Sequence, residues 1–474
     1  VTDIHELSAL QLWQELQRSR LSPTEVVDHY LRRIDRLNPE LGAFVRVDHE
    51  AARQRAARLD EVPRTAALWG LPFAEKDLWR RAGTHTGFGS RLMVDFVAET
   101  TDEIVQTLDT AGAVSLGATN VPEFGFPSYT ESLVAPPARN PWNTTLGAGG
   151  SSGGAAVAVA TGLLPFAPGS DGGGSVRIPA AACGLVGVKP SRGLVPGASG
   201  VASLAGLVVD GPLARTVADA ALLLDGMIAR TPRGTIDHHY ALRAPDENDP
   251  FLGDAVRGEG RFQLAVTTSS AWDDLMEIAL DPAARVALDE AVVALEELGH
   301  GIEELQIDPD PLYSPSFRTV WKAGASRLPV DDATEVLLEP LTRWLVDAGR
   351  AIGARELGEA LENLSNYERN LIAKLGSYDA VLTPALALTP RPIGWHDAGD
   401  PERNFVQQCQ YTPFTSMVNV SGLPAIVLPV HQTDGGLPMG VQLIGRPGGE
   451  RTLFALGAQL ERKFRWYSRH PASW

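Results

Sequence analysis

Hydrophobic positions recur along this chain with two periods, and the places where one gives way to the other mark its elements. Behind Ser22, Pro23, Thr24 and Glu25, the apolar residues Val27, Tyr30, Leu31, Ile34 and Leu37 fall at helical spacing. An N-cap serine, proline at the first helical position and glutamate three residues after the cap predict an amphipathic helix, with Asn38-Pro39 as its end. Ile104, Val105 and Leu108 predict a second helix over 102–111 that stops at Gly112 and leads into an apolar strand over 113–116. The same order returns at 282–298, where a helix ends at Gly299 before a strand near Ile302. Short apolar runs at 378–382 and 425–429 are bounded by turn residues. Helices alternating with buried strands predict an α/β architecture with helices on both faces of a sheet.

The longest apolar stretch, 155–167, is broken by Thr161, Gly162 and Pro165 and falls short of the roughly 20 residues a membrane span requires. Residues 231–260 are rich in charge, glycine and proline without periodicity, which predicts a surface insertion. Against 58 acidic residues stand 41 Lys+Arg, a net charge of −17, which argues against a nucleic-acid binder. Cys183 and Cys409 cannot staple a chain of 474 residues, and residues 1–16 lack the basic-then-apolar pattern of a leader, so the expected location is the cytoplasm. At about 150 residues per domain, length alone suggests about three domains.

The chemistry concentrates in 146–175. Gly147-Ala148-Gly149-Gly150-Ser151-Ser152-Gly153-Gly154 precedes an apolar helical run, and Gly169-Ser170-Asp171-Gly172-Gly173-Gly174-Ser175-Val176-Arg177 follows it. A flexible linker would not be tied to apolar segments on both sides. Three consecutive glycines before Ser175 let backbone N–H groups turn inward together, as a developing oxyanion requires. Residues 149–153 match the G-x-S-x-G elbow, but 140–143 is turn-like where that motif needs a strand, and the ten histidines are scattered. A phosphate loop would need a lysine after the glycines. Another base is offered by Lys76, in the mostly apolar segment 69–77, where burial would depress its pKa; the alternative is a surface lysine paired with Asp77.

Taken together these segments resemble the amidase signature family, serine hydrolases built on a Ser-cisSer-Lys triad. The resemblance rests on G-x-P-x-x-x-K-D at Gly70 to Asp77, G-G-S-S-G-G at Gly149 to Gly154, and the block from Gly169 through Cys183 to Gly193. It continues in Gly211 to Asp219, Leu382 to Ala385, Ser421 to Ala425 and Gly440 to Gly445. It implies one domain over 1–474 in place of three, with a large mixed twisted β-sheet sandwiched between α-helices. N-terminal helices would occupy about 1–60, a signature core about 65–230, the insertion about 231–260, and a substrate-pocket part about 261–474. By the resemblance Ser175 is the nucleophile, Ser151 the bridging serine on a cis peptide, and Lys76 the general base. The backbone amides of Gly172, Gly173, Gly174 and Ser175 would receive the oxyanion; Ser152 and Asp171 would orient the triad, and Arg177 would brace the loop. No metal or organic cofactor is implied. The implied partner is a small-molecule amide, with no nucleic acid or membrane, and a homodimer is the expected assembly. Where the family often has threonine this chain has Ser170, and where it has a larger residue this chain has Gly172, which implies a looser oxyanion loop.

Two functions fit this resemblance: a stand-alone amidase similar to aryl acylamidases and oligoamide hydrolases, with ester or carbamate cleavage as a side activity, and the glutaminase subunit of an aminoacyl-tRNA amidotransferase. Phe124, Phe126 and Tyr129, with Tyr411, Phe414 and Met417, are either pocket wall or core. If they line the cleft the site is broad and apolar, without a cation for the carboxylate of glutamine. Cys183 is expected in the core; Cys409 is expected to line the pocket or to pack.

Overall fold

A computed structural model describes residues 3–196, 203–228, 242 and 249–474. Among these, eleven strands build two sheets. The smaller, in the order β1-β3-β2, holds β1 (Phe44–Val47), β2 (Pro72–Lys76) and β3 (Val114–Thr119). The larger holds β4 (Phe166–Asp171), β5 (Val186–Lys189), β6 (Val209–Ala214), β7 (Gln263–Val266), β8 (Gly301–Glu304), β9 (Ala380–Pro384), β10 (Ala425–Gln432) and β11 (Pro438–Gly445). Its order is β4-β6-β5-β10-β11-β9-β7-β8, antiparallel from β4 to β9 and parallel across β9, β7 and β8. The sheet is therefore mixed, as expected, but it is not continuous with the smaller one. β2 packs beside β4 without joining its ladder. Its ladder partner is β3, and side-chain hydrogen bonds from Lys76 to Ser170 connect it to β4 instead.

Local signals explain most boundaries. Ser22 and Glu25 form the reciprocal cap, each backbone N–H donating to the other's side chain at 2.8 and 3.2 Å. The helix Pro23–Leu41 nevertheless runs past Pro39, where termination was expected. Proline in the last turn forfeits only its own N–H, and the true stop is Gly42, whose φ of +64° a side chain would disfavour and whose N–H returns to Asn38 O. The insertion is described only in part. Residues 231–241 and 243–248 lie outside the described residues, but the rest contains the helix Phe251–Arg257, which buries Phe251 against Phe454. That part packs on the body.

The element that matters most for the site is the helix Gly153–Ala160, whose eight residues are all buried. It touches strands of both sheets, and only small residues permit that approach: a Cβ on Gly154 would lie 2.3 Å from Asn120 N. Its N-terminus, carrying Ser151 and Ser152, is thereby held at the seam between β2 and β4. No helix among the described residues is long and apolar enough to cross a membrane.

Candidate active site

Lys76 is the last residue of β2, and strand alternation separates it from its acidic neighbours. Glu75 points the other way and pairs with Arg81 at 2.5 Å and with Arg46. Asp77 accepts from Gly87 N, so the reading of Lys76 as a surface partner of Asp77 fails. Lys76 is fully buried, and Nζ donates to Ser151 Oγ at 2.9 Å, Ser170 Oγ at 3.0 Å and Ser170 O at 3.1 Å. Burial pushes its amine down to about 7, against the opposing pull of Asp210 and Asp171.

Ser151 follows a cis Gly150–Ser151 peptide bond and is 2% exposed. Ser152 ties the loop together, its N–H donating to Ser175 O at 3.1 Å and its hydroxyl to Ser170 O at 3.4 Å. Ser175, 9% exposed, shares with Ser151 and Ser170 the wall of one cavity. No histidine hydrogen-bonds to Ser151 or Ser175 among the described residues.

Asp171, on the face of β4 opposite Ser170, anchors the glycine loop. It accepts from Gly174 N at 2.8 Å and Val176 N at 3.2 Å, and it forms a two-pronged pair with Arg177 at 2.8 and 2.9 Å, both side chains fully buried. Burial alone would raise this carboxyl, but the Arg177 guanidinium and Asn419 hold it well below the usual carboxylate range. Arg177 also donates to Thr415 O, Gln442 Oε1 and Asn419 Oδ1. Arg177→Leu is expected to cost about 3–5 kcal/mol of stability, because it leaves a buried carboxylate unpaired; equilibrium denaturant unfolding measures it.

That arrangement changes the expected oxyanion donors. Gly174 N–H is committed to Asp171, whereas the N–H groups of Gly172, Gly173 and Ser175 donate to no acceptor among the described residues. Gly174 instead serves the turn: its φ is +131°, and a Cβ there would lie 2.5 Å from Thr415 Oγ1.

Two chambers meet at Ser175. The wider, about 230 Å³, is walled by Leu78, Phe124, Phe126, Val208, Trp321 and Arg327; the narrower, about 60 Å³, by Ile178, Trp272, Phe317, Phe405 and Cys409. Phe126 and Trp321, edge to face at 6.0 Å, border both. A larger surface depression of about 510 Å³ beside Arg91 and Trp344 holds none of the residues above. Of the predicted wall residues, Phe124 and Phe126 are in place. Tyr129 is not: it stacks on His396 at 4.0 Å and bonds Asn404. Tyr411 and Phe414 are core, 2% and 0% exposed. For Tyr411 the reason is helical phase, since Phe405, Gln408 and Cys409 share one face toward the narrow chamber while Tyr411 packs with Ala182 and Leu386; Phe414 lies beyond the end of that helix, in the buried link to Ser416–Val420. Met417 is core as well. Arg327 is a cation in the wall of the wider chamber.

The sequence matches the family model described as Amidase over residues 25–454. The chain belongs to the amidase family. This amidase is 31% identical to the acylamidase of Rhodococcus erythropolis, over 99% of this chain and 98% of that one. It is also 31% identical to a glutamyl-tRNA(Gln) amidotransferase subunit of Nitrosococcus oceani, over 99% of this chain and 100% of that one. Its fold is similar to that of 6-aminohexanoate cyclic dimer hydrolase, with a TM-score of 0.89 and 28% identity over all of both chains. It is an amidohydrolase of the amidase signature type.

Proposed function

We propose that this amidase cleaves hydrophobic acyl and aryl amides, oligoamides among them, through a Ser175–Ser151–Lys76 proton chain and an acyl-enzyme. The observation that carries this reading is a fully buried Lys76, held at 2.9 Å from Ser151 Oγ and brought down to about 7. At its reference value of about 10.4 only one such amine in a few thousand would be neutral at pH 7, and a protonated amine has no lone pair to accept with. As Ser175 Oγ bonds to the amide carbon, its proton passes to Ser151 Oγ, and the Ser151 proton passes to Lys76 Nζ. The oxyanion is met by the free N–H groups of Gly172, Gly173 and Ser175. The C–N bond then breaks, with the leaving nitrogen taking a proton from Ser151 and Ser151 regaining one from Lys76. Water attacks the acyl carbon and surrenders its proton along the same chain, releasing the acid and restoring Ser175.

The chambers favour apolar groups on both sides of the scissile bond. Trp321→Ala merges them, and it is expected to lower kcat/KM for a bulky acyl anilide roughly 10–100-fold while changing that for a short aliphatic amide little; steady-state kinetics on the pair checks this. Free glutamine offers no apolar surface to the aromatic walls. The test is kcat/KM on the isolated chain for an acyl anilide, a linear oligoamide and glutamine. Anilide and oligoamide well above glutamine is the expected order; efficient glutamine hydrolysis with negligible anilide cleavage would overturn the reading in favour of an amidotransferase component.

A further inference from the structure

Asp210 lies on β6 directly opposite Ser170 of β4, and opposed residues of an antiparallel pair project to the same face. Its carboxyl therefore borders Ser170, whose Oγ holds Lys76 Nζ. Asp210 is 3% exposed, and its Oδ1 has no hydrogen-bond partner among the described residues. Among the described residues it makes no direct ion pair with Lys76; Ser170 contacts the amine from this side. A buried carboxylate without donors is costly, and so is a buried ammonium. Each charge is tolerable mainly in the field of the other.

We propose that Asp210 is a positioning residue for the base: acting across Ser170, it ties its own charge to that of Lys76, so that the pair shares one proton and Asp210 sets the pH at which Lys76 becomes basic. This rests on the reading of Lys76 as the base. The two forms, ammonium with carboxylate and amine with carboxylic acid, contain the same atoms and the same net charge, and they differ only in which group holds the proton. Burial moves both groups toward the same range, the amine down to about 7 and the carboxyl up to about 7, and each opposes the shift of the other. The surrounding charges are otherwise engaged. Asp171 is closed by Arg177, and Asp102, which also acts on Asp210, is bonded to Arg80 at 2.7 Å. Lys189 of β5 donates to Pro190 O at 2.9 Å. On the helix Val217–Met227 behind β6, Asp219 and Asp225 accept from the N–H groups of Leu10 and Phe251.

The test compares wild type with Asp210→Asn in the pH dependence of two rates: kcat/KM for an acyl anilide, and labelling of Ser175 by a fluorophosphonate. Removing the anion removes what favours the ammonium, so both rising limbs are expected to move to lower pH by about one unit or more. A limb that stays in place, with Ser175 labelled normally, overturns the role of Asp210 and leaves the proposed triad standing. Wild-type hydrolysis without labelling of Ser175 overturns the triad and this proposal with it. Asp210→Ser is read in the same way if the asparagine variant does not fold.

Discussion

Ser175→Ala is expected to reduce kcat for amide hydrolysis by a factor of order 10⁴–10⁶, the range seen when a serine nucleophile acting in a unit is removed. The hydroxyl is the atom at the junction of the two chambers that would carry the acyl group. The fold should survive, because the loop is held by Ser175 O, by Asp171 and by Arg177, and no hydrogen bond among the described residues depends on Ser175 Oγ. Unchanged circular dichroism and thermal unfolding beside the lost rate is the expected result. Residual hydrolysis near the wild-type rate would move the nucleophile elsewhere.

Lys76→Met is expected to lower amide hydrolysis about 10²–10⁴-fold, the usual contribution of a positioned base, while costing an activated nitrophenyl ester far less. The difference follows from the leaving groups. An amine must receive the relayed proton, whereas nitrophenolate departs without one. Methionine keeps the length and apolar stem of the side chain, so the buried site stays filled. In the wild type, kcat/KM should rise with pH through about 7: below that value Lys76 is an ammonium that cannot accept, and above it the amine is free. Equal losses on amide and ester would make Lys76 structural.

The residues of the proposed proton chain were legible in the sequence because each sits in a dense local motif. Glycines, serines and a lysine flanked by apolar residues have few structural reasons to occur together. Gly172, Gly173, Asp171 and Arg177 were legible for the same reason. Ser170 was visible only as a departure from a family pattern, and nothing in the sequence predicted that both its oxygens meet Lys76. Asp210 was missed because its relation to Lys76 exists only across the β4–β6 register, 134 residues from the lysine in sequence (210 − 76). The pocket wall was the least legible. Phe317 and Trp321 recur at i and i+4 on the helix Tyr313–Ala325, a spacing that reads as core until the opposing helix is placed. Tyr411 and Phe414 were expected in the wall, yet a turn of phase around the helix Pro401–Tyr411 puts Phe405 and Cys409 there in place of Tyr411, and Phe414 falls beyond the helix end. Similarly, Pro39 was a plausible stop, but the left-handed conformation that ends that helix belongs to Gly42.

The account turns on which serine becomes acylated. A fluorophosphonate incubated with the wild-type chain, followed by intact-mass and peptide-level mass spectrometry, answers that directly. One adduct per chain on Ser175, its formation slowing as Lys76 is protonated below about 7, is the predicted result. An adduct on Ser151 or Ser152, or amide hydrolysis that persists with no serine modified, would contradict it.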